Sequence, residues 1–165
     1  VRGVISCTVG CPYEGDISAD KVAYVTEKLV AIGAEHIGIA DTIGVGTPIK
    51  VQKALDAALR YIDIDNISGH FHDTYGQALS NTLAALQMGV WQFDTSVAGL
   101  GGCPYAKGAT GNVATDDVVY MLHGMGISTG IDLDKLVVAG ERISEFLGRR
   151  NGSSVARALI NKRQS

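Results

Sequence analysis

The sharpest chemical signal in this 165-residue sequence is His70-Phe71-His72, followed directly by Asp73. Successive side chains of a strand alternate faces, so His70 and His72 point the same way, about 6–7 Å apart along the chain. Two imidazoles so placed can hold one metal ion, or they can be a hydrogen-bonded core pair; the acid that follows on an apolar strand favours the metal. With Cys103 the pair would suit zinc, which takes nitrogen and sulfur in a tetrahedral set. With Asp, Asn and water it would suit Mg2+ or Mn2+ in an octahedral set. Asn112 lies on the far side of a glycine-rich loop, residues 99–111, and is read either as a turn residue or as an oxygen ligand returned to the site.

Three further features carry chemistry. Cys103 stands between Gly101-Gly102 and Pro104, where flanking glycines offer no packing partners, so acid–base use is favoured over burial. Asp41 closes an apolar run and opens a glycine loop, which suits either a loop-capping group or a site acid or base. Cys7 and Cys11 lack the second pair that a metal site of that spacing needs, and are read as packing residues. Gly44-Val45-Gly46 lacks the third glycine and the following Gly-Lys-Ser/Thr of a nucleotide loop, which excludes nucleotide binding there.

The elements that must position these groups are legible as alternating runs. Strands are expected at Arg2–Cys7, His36–Ala40, Ile67–His72 and Gln92–Val97, with starts 34, 31 and 25 residues apart, close to a strand–helix–strand period of about 30. Helices are expected after Ser18, with Val22, Val25, Leu29 and Val30 in a stripe and Gly33 as the stop. The next starts at Thr47-Pro48 with Val51, Leu55, Ala58 and Leu59, and a third runs from about Gly76 to Met88 with Leu79, Leu83 and Leu86 inward. Thr115-Asp116-Asp117 marks a capped start, Asp132 caps a long helix to about Leu147, and Val155–Ile160 reads as one more helical turn or two. This α/β pattern means a parallel sheet covered by helices. An open doubly wound sheet and a closed eight-stranded barrel both remain. Polar groups gather at every C-terminal strand end, and four decorated ends in succession fit a barrel mouth better.

Composition narrows the class. The 21 glycines are about 13% of the chain, near twice the usual share of roughly 7%, and they show no collagen period. Hydrophobic residues reach 46% and charged residues 19%, enough to bury a core. A net charge of −3, with Arg149-Arg150 and Lys162-Arg163 read as a solvated terminal face, gives no nucleic-acid track. No apolar stretch reaches the roughly 18 residues of a spanning helix, so no membrane partner is expected. Three cysteines argue for a reducing compartment rather than a disulfide framework. The chain starts in a strand without an initiator Met, as expected of a cut through a larger fold.

Three long motifs, in order, resemble the 3-hydroxy-3-methylglutaryl-CoA lyase family, and the resemblance covers nearly the whole chain. They are Asp41-Thr42-Ile43-Gly44-Val45-Gly46-Thr47-Pro48, His72-Asp73-Thr74-Tyr75-Gly76-Gln77-Ala78 and Ser96-Val97-Ala98-Gly99-Leu100-Gly101-Gly102-Cys103-Pro104-Tyr105-Ala106. The last is similar to the family's cysteine loop and separates it from isopropylmalate and homocitrate synthases, which share the His-x-His strand. The resemblance implies a (β/α)8 TIM barrel of which residues 1–165 are the C-terminal half, with a catalytic loop at 99–112 and a C-terminal helical region at 115–165. It implies Mg2+ or Mn2+ held by His70, His72 and Asn112, with a further Asp, preceded by Arg, upstream of Val1. Cys103, His70 and Asp41 become the catalytic residues for cleaving 3-hydroxy-3-methylglutaryl-CoA to acetyl-CoA and acetoacetate, the chemistry of leucine degradation and ketone-body formation. An acyl-CoA partner, a homodimeric full-length protein and a bacterial cytoplasmic or mitochondrial-matrix location follow from the same resemblance. This half alone, lacking one metal ligand, is expected to be inactive. The alternatives are a zinc hydrolase using His70, His72 and Cys103, and a binding fragment without catalysis.

Overall fold

The computed structural model describes residues 1–102 and 111–164. They fall into two compact units, Val1–Asp94 with Gly102, and Thr95–Gly101 with residues 111–164.

In the first unit strands and helices alternate: β1 (Arg2–Ile5), α1 (Ala19–Ala31), β2 (His36–Asp41), α2 (Pro48–Ala58), β3 (Ile67–Phe71), α3 (Ala78–Gln87) and β4 (Gln92–Asp94). All pairings are parallel and the strand order is β1-β2-β3-β4. A doubly wound sheet reverses its strand order at a switch point, whereas successive strands of a barrel do not. Consecutive helices pack on one another, α1 on α2 and α2 on α3, so all three cover the same face of the sheet.

Strand alternation then sorts the side chains. Ile37 and Ile39 are in register with Gly3 and Ile5, and Ile37 is also in register with Ile67. Ile37, Ile39, Ile67 and Phe71 are buried beneath the helices. The opposite face carries Arg2, Val4, Gly38, Ala40, Ser68, His70 and Asp94, a mostly small and polar set. Burial of the isoleucines and Phe71 contributes about 1.5–3 kcal/mol each.

The helices begin and end where local chemistry dictates. The Ser18 side chain accepts from the Lys21 N–H at the start of α1, and Pro48 occupies the first turn of α2, where its missing N–H costs nothing. The apolar stripes differ from the periodic expectation. On α1, Val22, Ala23 and Thr26 are buried while Val25 is exposed. On α3 the inward residues are Ala78, Asn81, Thr82, Ala84 and Ala85, and the three leucines are only half-buried. Small side chains let α3 approach closely, and leucines flank that contact. The helix starts at Ala78 rather than Gly76, because the Asp73 carboxylate accepts the Ala78 N–H at 2.9 Å. Strands β1 and β4 are shorter than expected, ending at Ile5 and Asp94. Beyond β1, Cys7 turns the chain with a φ of 58°, so Cys7 and Cys11 are half-buried rather than core residues.

The second unit is helical: α4 (Thr115–Gly124), α5 (Leu133–Phe146) and α6 (Ser154–Gln164). Its centre is Ala98, which is buried with a φ of 54°. Three elements hold that strained residue. The Asp116 carboxylate of α4 accepts its N–H at 3.0 Å, its carbonyl accepts the Gly152 N–H at 3.0 Å, and its methyl faces Gly140 of α5. The cap of α4 differs from expectation: Ala114 holds the cap position, and the Thr115 hydroxyl pairs with Thr95 at 2.8 Å. Helix α6 is longer than one or two turns because Asp117, 38 residues earlier, accepts the Val155 N–H at 2.9 Å and also the Ser154 N–H. Among the described residues, no helix is long and apolar enough to cross a membrane.

Asp116 yields a pH test. It is fully buried, and burial raises its carboxyl above the ordinary value while the Ala98 N–H lowers it and the Asp117 charge raises it. The folded state therefore holds this proton more tightly than the unfolded chain. Its contribution to stability falls as pH rises from the ordinary carboxylate value to the raised one, and is constant above it. Asp116→Asn keeps an acceptor for Ala98 and removes that slope. Urea melts from about pH 4 to about pH 7 are expected to show the variant gaining on the unsubstituted protein as pH rises; a constant difference overturns the assignment.

Candidate metal and acid–base site

His70 lies in β3, and His72 follows directly after its last residue, Phe71. The two Nε2 atoms converge to 3.4 Å, with ring centroids 5.4 Å apart and planes tilted by 37°. Two nitrogens bound at right angles to one ion at about 2.1 Å stand about 3 Å apart, so this spacing suits adjacent ligands of a single cation. His72 is buried and His70 half-buried.

Behind His70 stands a group that the sequence reading missed. His70 is in register with Asp94, and Nδ1 lies 3.3 Å from Asp94 Oδ2. The Arg2 guanidinium pairs with the same Asp94 oxygen and donates to Ser68 Oγ at 2.8 Å. Burial pushes the Asp94 carboxyl up, but the hydrogen bond and charge of Arg2, with those of His70, outweigh it and hold Asp94 below its ordinary value. The partnership depends on the register between β3 and β4, which puts Asp94 on the same face as His70.

Asp41 is placed differently. It is in register with Phe71, one step out of phase with His70, so alternation sends its side chain to the opposite face. The carboxylate is fully buried and accepts the Val45 N–H at 3.1 Å and the Gly46 N–H at 2.8 Å. A Cβ at Gly46 would stand 2.8 Å from Asp41 Oδ2, so glycine is required for the loop to close on the acid. Asn81, also missed from sequence, donates from α3 to the Gly46 carbonyl at 3.0 Å. Burial raises the Asp41 carboxyl, against the lowering effect of its backbone donors.

Asn112 belongs to the second unit. Its Nδ2 donates to the Leu100 carbonyl at 3.0 Å, which fixes the amide, and its Oδ1 is buried with no hydrogen-bond partner among the described residues. The Ser96 N–H donates to the Val113 carbonyl at 3.1 Å and the Thr115 N–H to the Ser96 carbonyl at 2.9 Å. These bonds join the two stems of the cysteine loop. A Cβ at Gly111 would stand 1.9 Å from the Gly99 carbonyl oxygen, so only glycine lets the stems meet there. Cys103 lies outside the described residues.

Two convergent imidazole nitrogens fit a divalent cation, and within the second unit Asn112 separately keeps a buried amide oxygen that lacks a donor among the described residues. Among the described residues, no group of three or more His, Cys, Asp or Glu side chains gathers closely enough to hold an ion. The histidine pair by itself is short of a complete ligand set.

Comparison with known proteins extends this picture along the chain. The HMGL-like family model matches residues 2–143. The mitochondrial hydroxymethylglutaryl-CoA lyase of Arabidopsis thaliana is 57% identical over 159 residues, covering 96% of this chain and 34% of that protein. The crystal structure of hydroxymethylglutaryl-CoA lyase from Pseudomonas aeruginosa superposes with a TM-score of 0.92 at 52% identity, over 98% of this chain and 54% of that one. A lyase structure from Acinetobacter baumannii, in complex with coenzyme A and 3-methylmalate, gives a TM-score of 0.91 at 39% identity, over 95% of this chain and 52% of that one. The chain thus spans between a third and about half the length of these relatives. A likeness running unbroken from β1 into α5 is more than a shared motif: the chain belongs to the HMGL-like family, and its four sequential strands are part of a TIM barrel.

Proposed function

We propose that the full-length protein is a divalent-metal-dependent hydroxymethylglutaryl-CoA lyase that cleaves 3-hydroxy-3-methylglutaryl-CoA to acetyl-CoA and acetoacetate. The observation that carries this reading is the convergent Nε2 pair of His70 and His72, in a chain 57% identical over 159 residues to such a lyase. The complex of a related lyase with coenzyme A and 3-methylmalate supports an acyl-CoA ligand with a hydroxy-acid end. Leucine degradation, a homodimer, and a bacterial cytoplasmic or mitochondrial-matrix location belong to the same proposal.

His70, His72 and Asn112 Oδ1 would hold Mg2+ or Mn2+. Bound there, the cation would supply Lewis-acid activation of the substrate hydroxyl, lowering its pKa. The chain's own residues handle the protons. With the His70 Nδ1–H directed to Asp94, the Nε2 lone pair is the one His70 can use: it would hold the cation, and it accepts the hydroxyl proton only when it has let go of the ion. As the hydroxyl proton leaves, the carbon–carbon bond breaks and its electron pair passes to the acetyl-CoA half as an enolate. The Cys103 thiol gives the enolate carbon its proton or relays one. For Asp41, the bonds to Val45 and Gly46 favour the loop-holding role over direct proton transfer.

Metal removal tests the reading. The full-length protein, stripped with a chelator, is expected to lose acetoacetate production and to recover it with Mg2+ or Mn2+. Recovery with Zn2+ alone, releasing coenzyme A without acetoacetate, supports the zinc hydrolase. No turnover with any of the three metals supports the binding fragment.

A further inference from the structure

We propose that Asp94, anchored by Arg2, is a positioning residue that fixes the tautomer and orientation of His70 and thereby sets the affinity of the site for a divalent cation. The inference rests on the metal-site reading above. A carboxylate only accepts, so the 3.3 Å contact of Asp94 Oδ2 with Nδ1 requires the His70 proton on Nδ1. That leaves Nε2, the atom facing His72, without one. Partners of this kind behind a ligating histidine fix its ring and raise its basicity.

Asp94 would be a poor anchor if it were free to turn, and the sheet prevents that. Arg2 starts on β1 and reaches over β2 to Ser68 on β3 and Asp94 on β4. It crosses β2 at Gly38, where a Cβ would stand 3.3 Å from the guanidinium nitrogen. One side chain thus ties β1 and β3 to the carboxylate behind His70.

Asp94→Asn separates this role from packing. Its amide keeps the shape but can donate to Nδ1, which favours the tautomer with the proton on Nε2, where a cation cannot bind. Mn2+ is the probe, titrated into the metal-stripped full-length protein and followed by electron paramagnetic resonance. Affinity is expected to fall by about 10- to 100-fold. Nitrogen-15 NMR of the metal-stripped protein is expected to show the His70 proton moving from Nδ1 to Nε2. Arg2→Met is expected to weaken Mn2+ binding in the same direction, and serves alone if Asp94→Asn does not fold. Mn2+ affinity within about threefold of the unsubstituted protein, with the tautomer unchanged, overturns the proposal. If Mn2+ binding does not depend on His70 at all, the metal-site reading fails and this assignment falls with it. If it depends on His70 but not on Asp94, only this assignment falls.

Discussion

Replacing His70 with alanine in the full-length protein is expected to lower turnover at saturating metal by at least about 100-fold, or roughly 2.7 kcal/mol of transition-state stabilisation. The substitution removes the nitrogen that converges on His72 Nε2 and with it the base proposed for the substrate hydroxyl. It leaves the Arg2–Asp94 pair standing, because that contact does not run through the imidazole. The His70 side chain is 30% exposed, so truncation opens little internal cavity, and the thermal midpoint is expected to stay close to that of the unsubstituted protein. Turnover assays beside a melting curve decide the matter: a near-normal rate in a folded variant overturns the acid–base role. A Mn2+ titration of the same variant divides the loss between ligand and base.

Cys103→Ala is expected to lower cleavage by about 100-fold or more while leaving metal binding nearly intact. The enolate carbon must gain a proton, and a thiol with an ordinary pKa near 8.5 can supply one at neutral pH where a methyl group cannot. Turnover and Mn2+ affinity measured on one preparation give the answer. Lost cleavage with retained Mn2+ supports the proton-donor role. Loss of metal along with activity instead makes Cys103 a ligand, as in the zinc hydrolase. Retained cleavage overturns both.

The sequence exposed the strand–helix alternation because each strand of the first unit is a short apolar run with a polar end, and a helix with its own stop signal lies between each pair. The helix-facing residues of α3 were not legible. Leucine at positions 79, 83 and 86 has the spacing of an inward stripe, yet close approach selects the alanines, Asn81 and Thr82. Length failed similarly at α6, whose cap is Asp117 on α4, a partner that no local pattern announces. The histidine pair and Asn112 were named from type and spacing. Arg2 and Asp94 were not, because their roles exist only once β1 to β4 are assembled in one sheet. Asp41 offered two uses on sequence, and its hydrogen bonds to Val45 and Gly46 are those that the capping use requires.

The alternation of the sheet also constrains how such a protein can change over generations. Arg2, Ser68, His70 and Asp94 meet because the register of the strands puts all four side chains on one face of the sheet. Inserting or deleting one residue inside β3 would exchange the parity of everything beyond it, sending an imidazole beneath the helices and a buried apolar side chain into the mouth. The connections between strands are under no such arithmetic, since a longer loop returns the next strand to its own register. Drift in length is therefore expected to gather in the connections, while Ile67–His72 admits substitution but not slippage.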